Sequence, residues 1–308
     1  YVILTDYEVE NAPNSLYFTP DAVKAMMARA LLDTGDYQAA ADTAVSVINS
    51  AAAYTLSDSA ESLDKLRSED AGTEAIMSLY ASKTEGAISY AMFTSYDTDN
   101  LNEAGGGYSY KNPYFIPSKA LLDLYETNDY RKIAWFTQTT AIPVNIDGSL
   151  YYDIFLFTKY AGNPNFNAAG FANGLVSSKP FLISEMYLIA AEGYYRAGGD
   201  SEAKKYLNML QAKRKATPTS LNDETIQKEW LRETVCEGLR LSNMKRWEIG
   251  FEGRAPQTKA AGLIVDMPKS SYSEKAMKPD DRAMCWPIPT YERKINPNLV
   301  QNPGYGTN

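Results

Sequence analysis

The stretch "KAMMARALLDTGDYQAAADTAVSVI", Lys24–Ile48, is echoed far downstream by "EMYLIAAEGYYRAGGDSEAKKYLNML", Glu185–Leu210. In both, helical text runs into a Gly-Asp turn and resumes in an alanine-bearing helix. Pro20 and Asp21 open the first copy, where Val23, Met26, Met27, Ala30 and Leu31 recur at the three- and four-residue steps of a helix that stops at Gly35. The next helix, about Tyr37–Ile48, carries Ala39, Ala40, Ala41 and Ala44, and small residues let two helices approach closely as an antiparallel pair. This is the tetratricopeptide style of hairpin, which repeats about every 34 residues when units stack directly. The two copies here lie too far apart for an uninterrupted solenoid. The chain is therefore expected to be mainly α, built on tetratricopeptide-like helical hairpins with a long loop-rich insertion and an irregular C-terminal run.

The insertion, about residues 60–179, is rich in Gly, Asn and Tyr. "SYDTDNLNEAGGGYSYKNPYF" places Tyr96, Tyr108, Tyr110, Tyr114 and Phe115 on loop, short helical text returns at Ser118–Tyr125, and "SLYYDIFLFTKY" reads as a strand or extended run. The last helical segment spans about Asn222–Ile249. It sets Glu229 with Arg232, and Glu237 with Arg240, as three-residue neighbours on a helix face. Interleaved Leu231, Val235, Leu239 and Met244 predict that some of these ions are partly buried and paired. The terminal "WPIPTYERKINPNLVQNPGY" combines prolines, which remove backbone donors, with the anchors Trp286, Ile288, Ile295, Leu299 and Tyr305.

Composition excludes several functions. Thirty Lys and Arg against 38 Asp and Glu give a net charge of −8, the wrong sign for binding a phosphate backbone, so nucleic acid is not an expected partner. The chain has no histidine, which removes Ser-His and Cys-His nucleophiles and imidazole metal ligands together. Two cysteines, Cys236 and Cys285, read as small buried hydrophobes. No run of about 18 apolar residues spans a bilayer. The "DTDN" at Asp97–Asn100 opens like a calcium loop, but Asn102 and Tyr108 stand where its glycine and closing glutamate belong, so neither a metal nor any other cofactor is expected.

Three stretches together resemble the SusD/RagB family, surface lipoproteins of Bacteroidota that capture nutrients for outer-membrane uptake. "RETVCEGLRLSNMKRW" meets the family pattern at Glu233, Glu237, Gly238, Arg240, Arg246 and Trp247. The terminal run meets it at Pro287, Ile288, Pro289, Glu292, Asn296, Pro297, Leu299, Gln301, Asn302, Pro303, Gly304 and Tyr305. "SEMYLIAAEGYYRAGGDSEAKKYLNMLQAKR" is similar to its final tetratricopeptide pair, and "NDYRK" to its Asp-x-Arg element at Asp129 and Arg131, read as a structural pair. Leu182 and Asn243 depart from the family's Arg and Asp. The resemblance implies a single helical domain over 1–308 with the 60–179 insertion within it, lacking the family's N-terminal part. It further implies a lipid anchor outside this chain, an outward-facing position on the outer membrane, and a TonB-dependent transporter as partner. The terminal run would lie along the helices, Trp286 and Ile288 beside the Trp247 helix.

Sugar rings present flat C–H faces, and aromatic side chains offer flat apolar area with a polar handle on Tyr and Trp. The expected ligand-binding residues are accordingly Tyr96, Tyr108, Tyr110 and Trp135, with Asp97, Asp99, Asn100 and Asn112 as polar partners. The function this supports is non-catalytic capture of an oligosaccharide or polysaccharide, with no catalytic residues. Two alternatives stand beside it: a tetratricopeptide scaffold binding peptides or proteins, and, less favoured, a glycoside hydrolase using Glu237. Arg240 one turn away would hold that carboxylate ionised and useless as an acid.

Overall fold

The structure is a computed structural model and describes residues 18–79, 101–102, 107–108, 110–139, 142–146, 148–160, 162–166, 176–257 and 275–306. Helix α1, Pro20–Thr34, begins where Thr19 Oγ1 accepts the Ala22 N–H and ends at Gly35, whose φ of 85° only glycine adopts without cost. Helix α2, Tyr37–Ile48, folds back against it. The buried face of α1 is Ala22, Ala25, Ala28 and Leu32, while Val23, Met26 and Met27 face solvent. The stripe of larger apolar residues that marks this helix in the sequence is therefore its outer side. Alanines take the inner side because the backbones run close together.

The second hairpin is α6, Ile183–Arg196, with α7, Asp200–Lys213. Every residue of α6 from Ile183 to Gly193 is buried, since α2 and α7 pack on it over most of its length and α1 and α8 (Asp223–Glu233) add to the enclosure. Both expected hairpins are present, and the chain is mainly α. Gly193 marks the closest crossing: a Cβ there would stand 2.6 Å from the Tyr37 carbonyl oxygen and 3.0 Å from Ala41 Cβ. Gly193→Ala is expected to cost about 1–3 kcal/mol, the usual range for overpacking. Urea denaturation measures this, and a neutral result would mean that α2 and α6 separate freely.

Between the hairpins, α3 (Ala60–Ser68) is capped by the reciprocal Ser59–Ser62 bonds, and β1 (Ala75–Leu79) pairs antiparallel with β8 (Ser178–Leu182). That pairing delivers the chain directly into α6, with Ile183 N–H on the Glu74 carbonyl at 2.8 Å. The intervening elements are β2 (Leu101–Asn102) with β3 (Gly107–Tyr108), α4 (Lys119–Leu122), α5 (Tyr130–Trp135), β4 (Phe136–Thr139), β5 (Val144–Ile146), β6 (Ser149–Tyr151) and β7 (Ile154–Phe157). The extended run expected at 149–160 is two strands, because Asp153 at φ 58° bends the chain between them. β4 pairs with β7 over a second core that includes Leu63, Leu122, Tyr125, Trp135, Phe136 and Phe157.

The helix expected over 222–249 is two. Helix α8 stops at Glu233, the chain turns through positive φ at Cys236 (63°) and Gly238 (79°), and α9 runs Arg240–Arg246. Glu237 and Arg240 therefore do not share a helix face. Cys236 and Cys285 are both exposed free thiols rather than buried ones.

The C-terminal run, with α10 (Thr290–Ile295), closes on itself. The Gln301 side chain accepts the Ile288 N–H at 2.8 Å and donates to the Ile288 carbonyl, Asn302 donates to the Trp286 carbonyl at 2.6 Å, and Tyr305 OH to that of Arg282. Amide side chains do satisfy backbone groups in this proline-rich segment, as its composition suggests. Its anchors divide: Ile288, Leu299 and Tyr305 are half-buried, but Ile295 faces solvent and Trp286, expected beside the Trp247 helix, is 79% exposed.

Candidate functional site

The insertion builds a small ladder next to which, along the chain, several aromatic residues are exposed. Lys111 donates its N–H to the Pro143 carbonyl at 2.8 Å and accepts from Asn145 at 2.9 Å, which lays the segment around Lys111 beside β5. Val144 pairs with Lys111 on one side and Tyr151 on the other, so these two rows lie about 10 Å apart, two strand spacings. Val144, Ile154 and Leu156 form a buried cluster beneath, with Ile116, Ile146 and Tyr151 packed at its edge. In the segment that follows Lys111, Tyr114 is 69% exposed and Phe115 55%, and Tyr152, just after β6, is 47% exposed. Asn112, between Lys111 and Pro113, is exposed among them. Flat apolar rings held by a rigid ladder beside an amide suit a shallow platform for a polyhydroxylated ring system.

The sequence-derived candidates divide on this surface. Tyr110 is half-buried next to Lys111, and Asn112 is exposed on the ladder's edge strand. Tyr108 lies in β3, paired with Leu101. Tyr96, Asp97, Asp99 and Asn100 lie outside the described residues. Trp135 is a correction: it is 2% exposed in the second core, and Lys159 Nζ sits 3.8 Å from its ring centroid. A ring so enclosed, with an ammonium on its face, has no surface left for a ligand. The sequence reading passed over Tyr114, Phe115 and Tyr152 as sites although Tyr114 and Phe115 belong to the same aromatic loop, because order along the chain does not tell covered rings from bare ones.

The structure also holds a network of buried charge. Arg131, wholly buried, reaches Asp129 at 2.8 Å, Glu229 at 2.6 Å and Glu233 at 3.0 Å. Arg214 holds Glu233 at 2.6 Å and Glu74, and donates to the Ser57 carbonyl at 2.7 Å. Glu229 also accepts from Gln211 at 2.9 Å and pairs with Arg232. The Asp129–Arg131 and Glu229–Arg232 pairs read from the sequence are both present.

Glu237 has partners other than the one expected. They are Arg67 and Lys159, the latter at 2.7 Å, not Arg240. Burial resists ionisation of the Glu237 carboxyl, but Lys159 and Arg67 outweigh it and hold the pKa below the ordinary carboxylate value. A general acid for glycoside cleavage needs the opposite shift. Arg67 and Lys159 carry no sequence signal for this role, since both lie far away along the chain.

Comparison with known proteins places the chain. Residues 156–305 match the model of the SusD family. The chain is 29% identical over 130 residues to the starch-binding protein SusD of Bacteroides thetaiotaomicron, an overlap of 41% of this chain and 21% of that protein. It is 28% identical over 314 aligned positions to a SusD-like protein of Formosa agariphila, covering 91% of this chain and 58% of the relative. Among solved structures, a SusD-like protein from Bacteroides fragilis superposes with a TM-score of 0.70 at 18% identity, over 93% of this chain and 65% of that one. Surface glycan-binding protein A from Bacteroides fluxus does so with a TM-score of 0.65 at 20% identity, over 96% and 65%. The chain thus spans less than two thirds of the length of these relatives, and at such identities the structural likeness establishes the fold. The family model matches from Leu156 to Tyr305, a stretch that includes the ion-paired Glu229, Glu233 and Glu237 and the self-closed terminus, and over this half the chain is similar to the SusD family in sequence as it is to SusD-like proteins in fold.

Proposed function

We propose that the chain captures an extracellular oligosaccharide or polysaccharide without converting it, on the aromatic ladder of its insertion. The observation that carries this reading is the exposure of three rings, Tyr114, Phe115 and Tyr152, in segments that adjoin a hydrogen-bonded ladder, with Asn112 exposed in the same stretch as the first two. The names of two relatives, a starch-binding protein and a surface glycan-binding protein, support carbohydrate as the ligand class. Tyr96, Asp97, Asp99, Asn100, Tyr108 and Tyr110 belong to the same proposal as flanking contacts. Capture without chemistry accords with the absence of histidine and with a Glu237 held ionised by two cations. Likeness to the SusD family supports the rest: a single domain with its insertion, a lipid anchor, an outward-facing position on the outer membrane, and delivery to a TonB-dependent transporter. Among the described residues no helix is long and apolar enough to cross a membrane.

Tyr114→Ala and Phe115→Ala are each expected to weaken oligosaccharide binding several-fold, since a good ring contact is worth on the order of 1 kcal/mol. Neither should lower the melting temperature, because exposed rings contribute little to the core. Calorimetry beside thermal melts separates the two effects, and variants that bind like the parent remove the ladder as the site. The protein-binding alternative has its own feature: a groove of about 590 Å³ lined by Tyr187, Met209 and Lys213 of the second hairpin and by Tyr54, Leu56 and Asp58 from the connection between α2 and α3. Peptides that compete there, with no sugar shifting the melt, would favour it.

A further inference from the structure

A separate cavity, beside α8 and α9, contains a cation that no described residue answers. Leu121, Leu124, Leu231, Val235, Met244 and Phe251 wall a space of about 630 Å³, in the size range of small-molecule sites. Arg240, the first residue of α9, also lines it and is half-buried. It makes no ion pair or hydrogen bond with any described residue, and burial, with no acid nearby to offset it, pushes its pKa down from the ordinary value. Other recessed arginines of this chain are answered: Arg131 and Arg214 by the buried glutamates, Arg246 by Glu192 and Asp33. The remaining charges around the cavity do not serve Arg240. Lys228 is neutralised by Glu224 at 2.6 Å, Arg254 lies over the Phe251 ring, and Glu252 is exposed at the rim.

We propose that this cavity binds a small amphipathic carboxylate, its acid group on Arg240 and its aliphatic or aromatic body against the leucine, valine, methionine and phenylalanine walls. The guanidinium offers the paired donors that a carboxylate accepts. A sugar is a poor occupant, because its many hydroxyls would leave water to face mainly apolar walls, with few polar side chains such as Ser118 and Gln227 to receive them. A neutral hydrocarbon would cover Arg240 without pairing it, which burial of a charge penalises. The site is thus chemically distinct from the aromatic ladder and does not depend on the ladder's assignment.

Decanoate and 1-decanol, titrated below the concentration at which either self-associates, test this by calorimetry on the intact chain. Saturable binding of decanoate is expected, about tenfold tighter than that of 1-decanol, the worth of one charge-assisted pair. Arg240→Gln should remove that preference and leave 1-decanol unaffected, while Leu231→Trp, which fills the cavity, should abolish both. The proposal is overturned if decanoate does not saturate, if Arg240→Gln binds it as tightly as the parent, or if Leu231→Trp leaves binding unchanged. Should Arg240→Gln fail to fold, Leu231→Trp decides alone. Oligosaccharide binding measured on the same preparations is expected to be unchanged, which keeps this result apart from the fate of the glycan proposal.

Discussion

Arg131→Met is expected to destabilise the chain by about 3–5 kcal/mol, the cost of breaking a buried charge cluster by removing one partner. Arg131 is the shared cation of Asp129, Glu229 and Glu233. Its loss leaves Glu229 to Arg232 and Gln211 and Glu233 to Arg214, while Asp129 loses its bidentate partner. Urea unfolding at constant m-value gives the figure, and a loss below about 1 kcal/mol, the worth of an exposed pair, would show that the cluster is energetically idle.

The pH response has a matching sign. Burial works against the ionised forms of Glu229, Glu233 and Glu237, yet the arginines and Lys159 prevail and all three are held below the ordinary carboxylate value. Folded pKa values below the unfolded ones mean that this stabilisation is complete above the unfolded carboxylate value, about 4.3, and is lost as pH falls through the folded values. Glu74 and Glu185 run the other way: burial raises their pKa above the unfolded value, so their share weakens as pH rises through the carboxylate range. With three carboxylates depressed and two raised, thermal melts should fall steeply only below about pH 4. In Arg131→Met that acid dependence should flatten, and an unchanged acid limb would mean that other groups set it.

Trp247→Ala is expected to cost about 3–5 kcal/mol, as for other buried aromatic truncations. Trp247 is 9% exposed in the main core, and its Nε1 donates to Glu192 at 2.6 Å, a carboxylate that also holds Arg246. Truncation opens a void and removes a donor from a wholly buried acid. Trp286→Ala, by contrast, should fall within about 0.5 kcal/mol of the parent, as surface substitutions do, because that ring stands in solvent. Denaturant midpoints that move equally for both would place Trp286 in the core and contradict the terminus described above.

The two tryptophans show what sequence carries and what it does not. Local signals were legible: Pro20 and Asp21 at the start of α1, Gly35 after it, and the alanines of α2 all appear where their chemistry puts them. Relations between distant segments were not. Val23, Met26 and Met27 have helical spacing, but which face of α1 meets the core depends on how closely α2 and α6 approach. Helical text at 222–249 hides the break at Cys236, since a non-glycine residue at positive φ gives little warning. Glu237 was legible as an ion-paired carboxylate, but its partners Arg67 and Lys159 come from other parts of the chain. In the site, the aromatic loop was evident and the division of its rings was not: Trp135 fills the second core while Tyr114 and Phe115 stay bare, a difference made by the β4–β7 and β5–β6 pairings.

The central claim, binding without turnover on the aromatic ladder, is tested most directly by titrating the parent chain with an oligosaccharide panel while assaying the same samples for new reducing ends. The account predicts saturable heat with at least one oligosaccharide and no release of reducing ends on prolonged incubation. Release of reducing ends that Glu237→Gln abolishes would contradict it and make the chain a glycoside hydrolase.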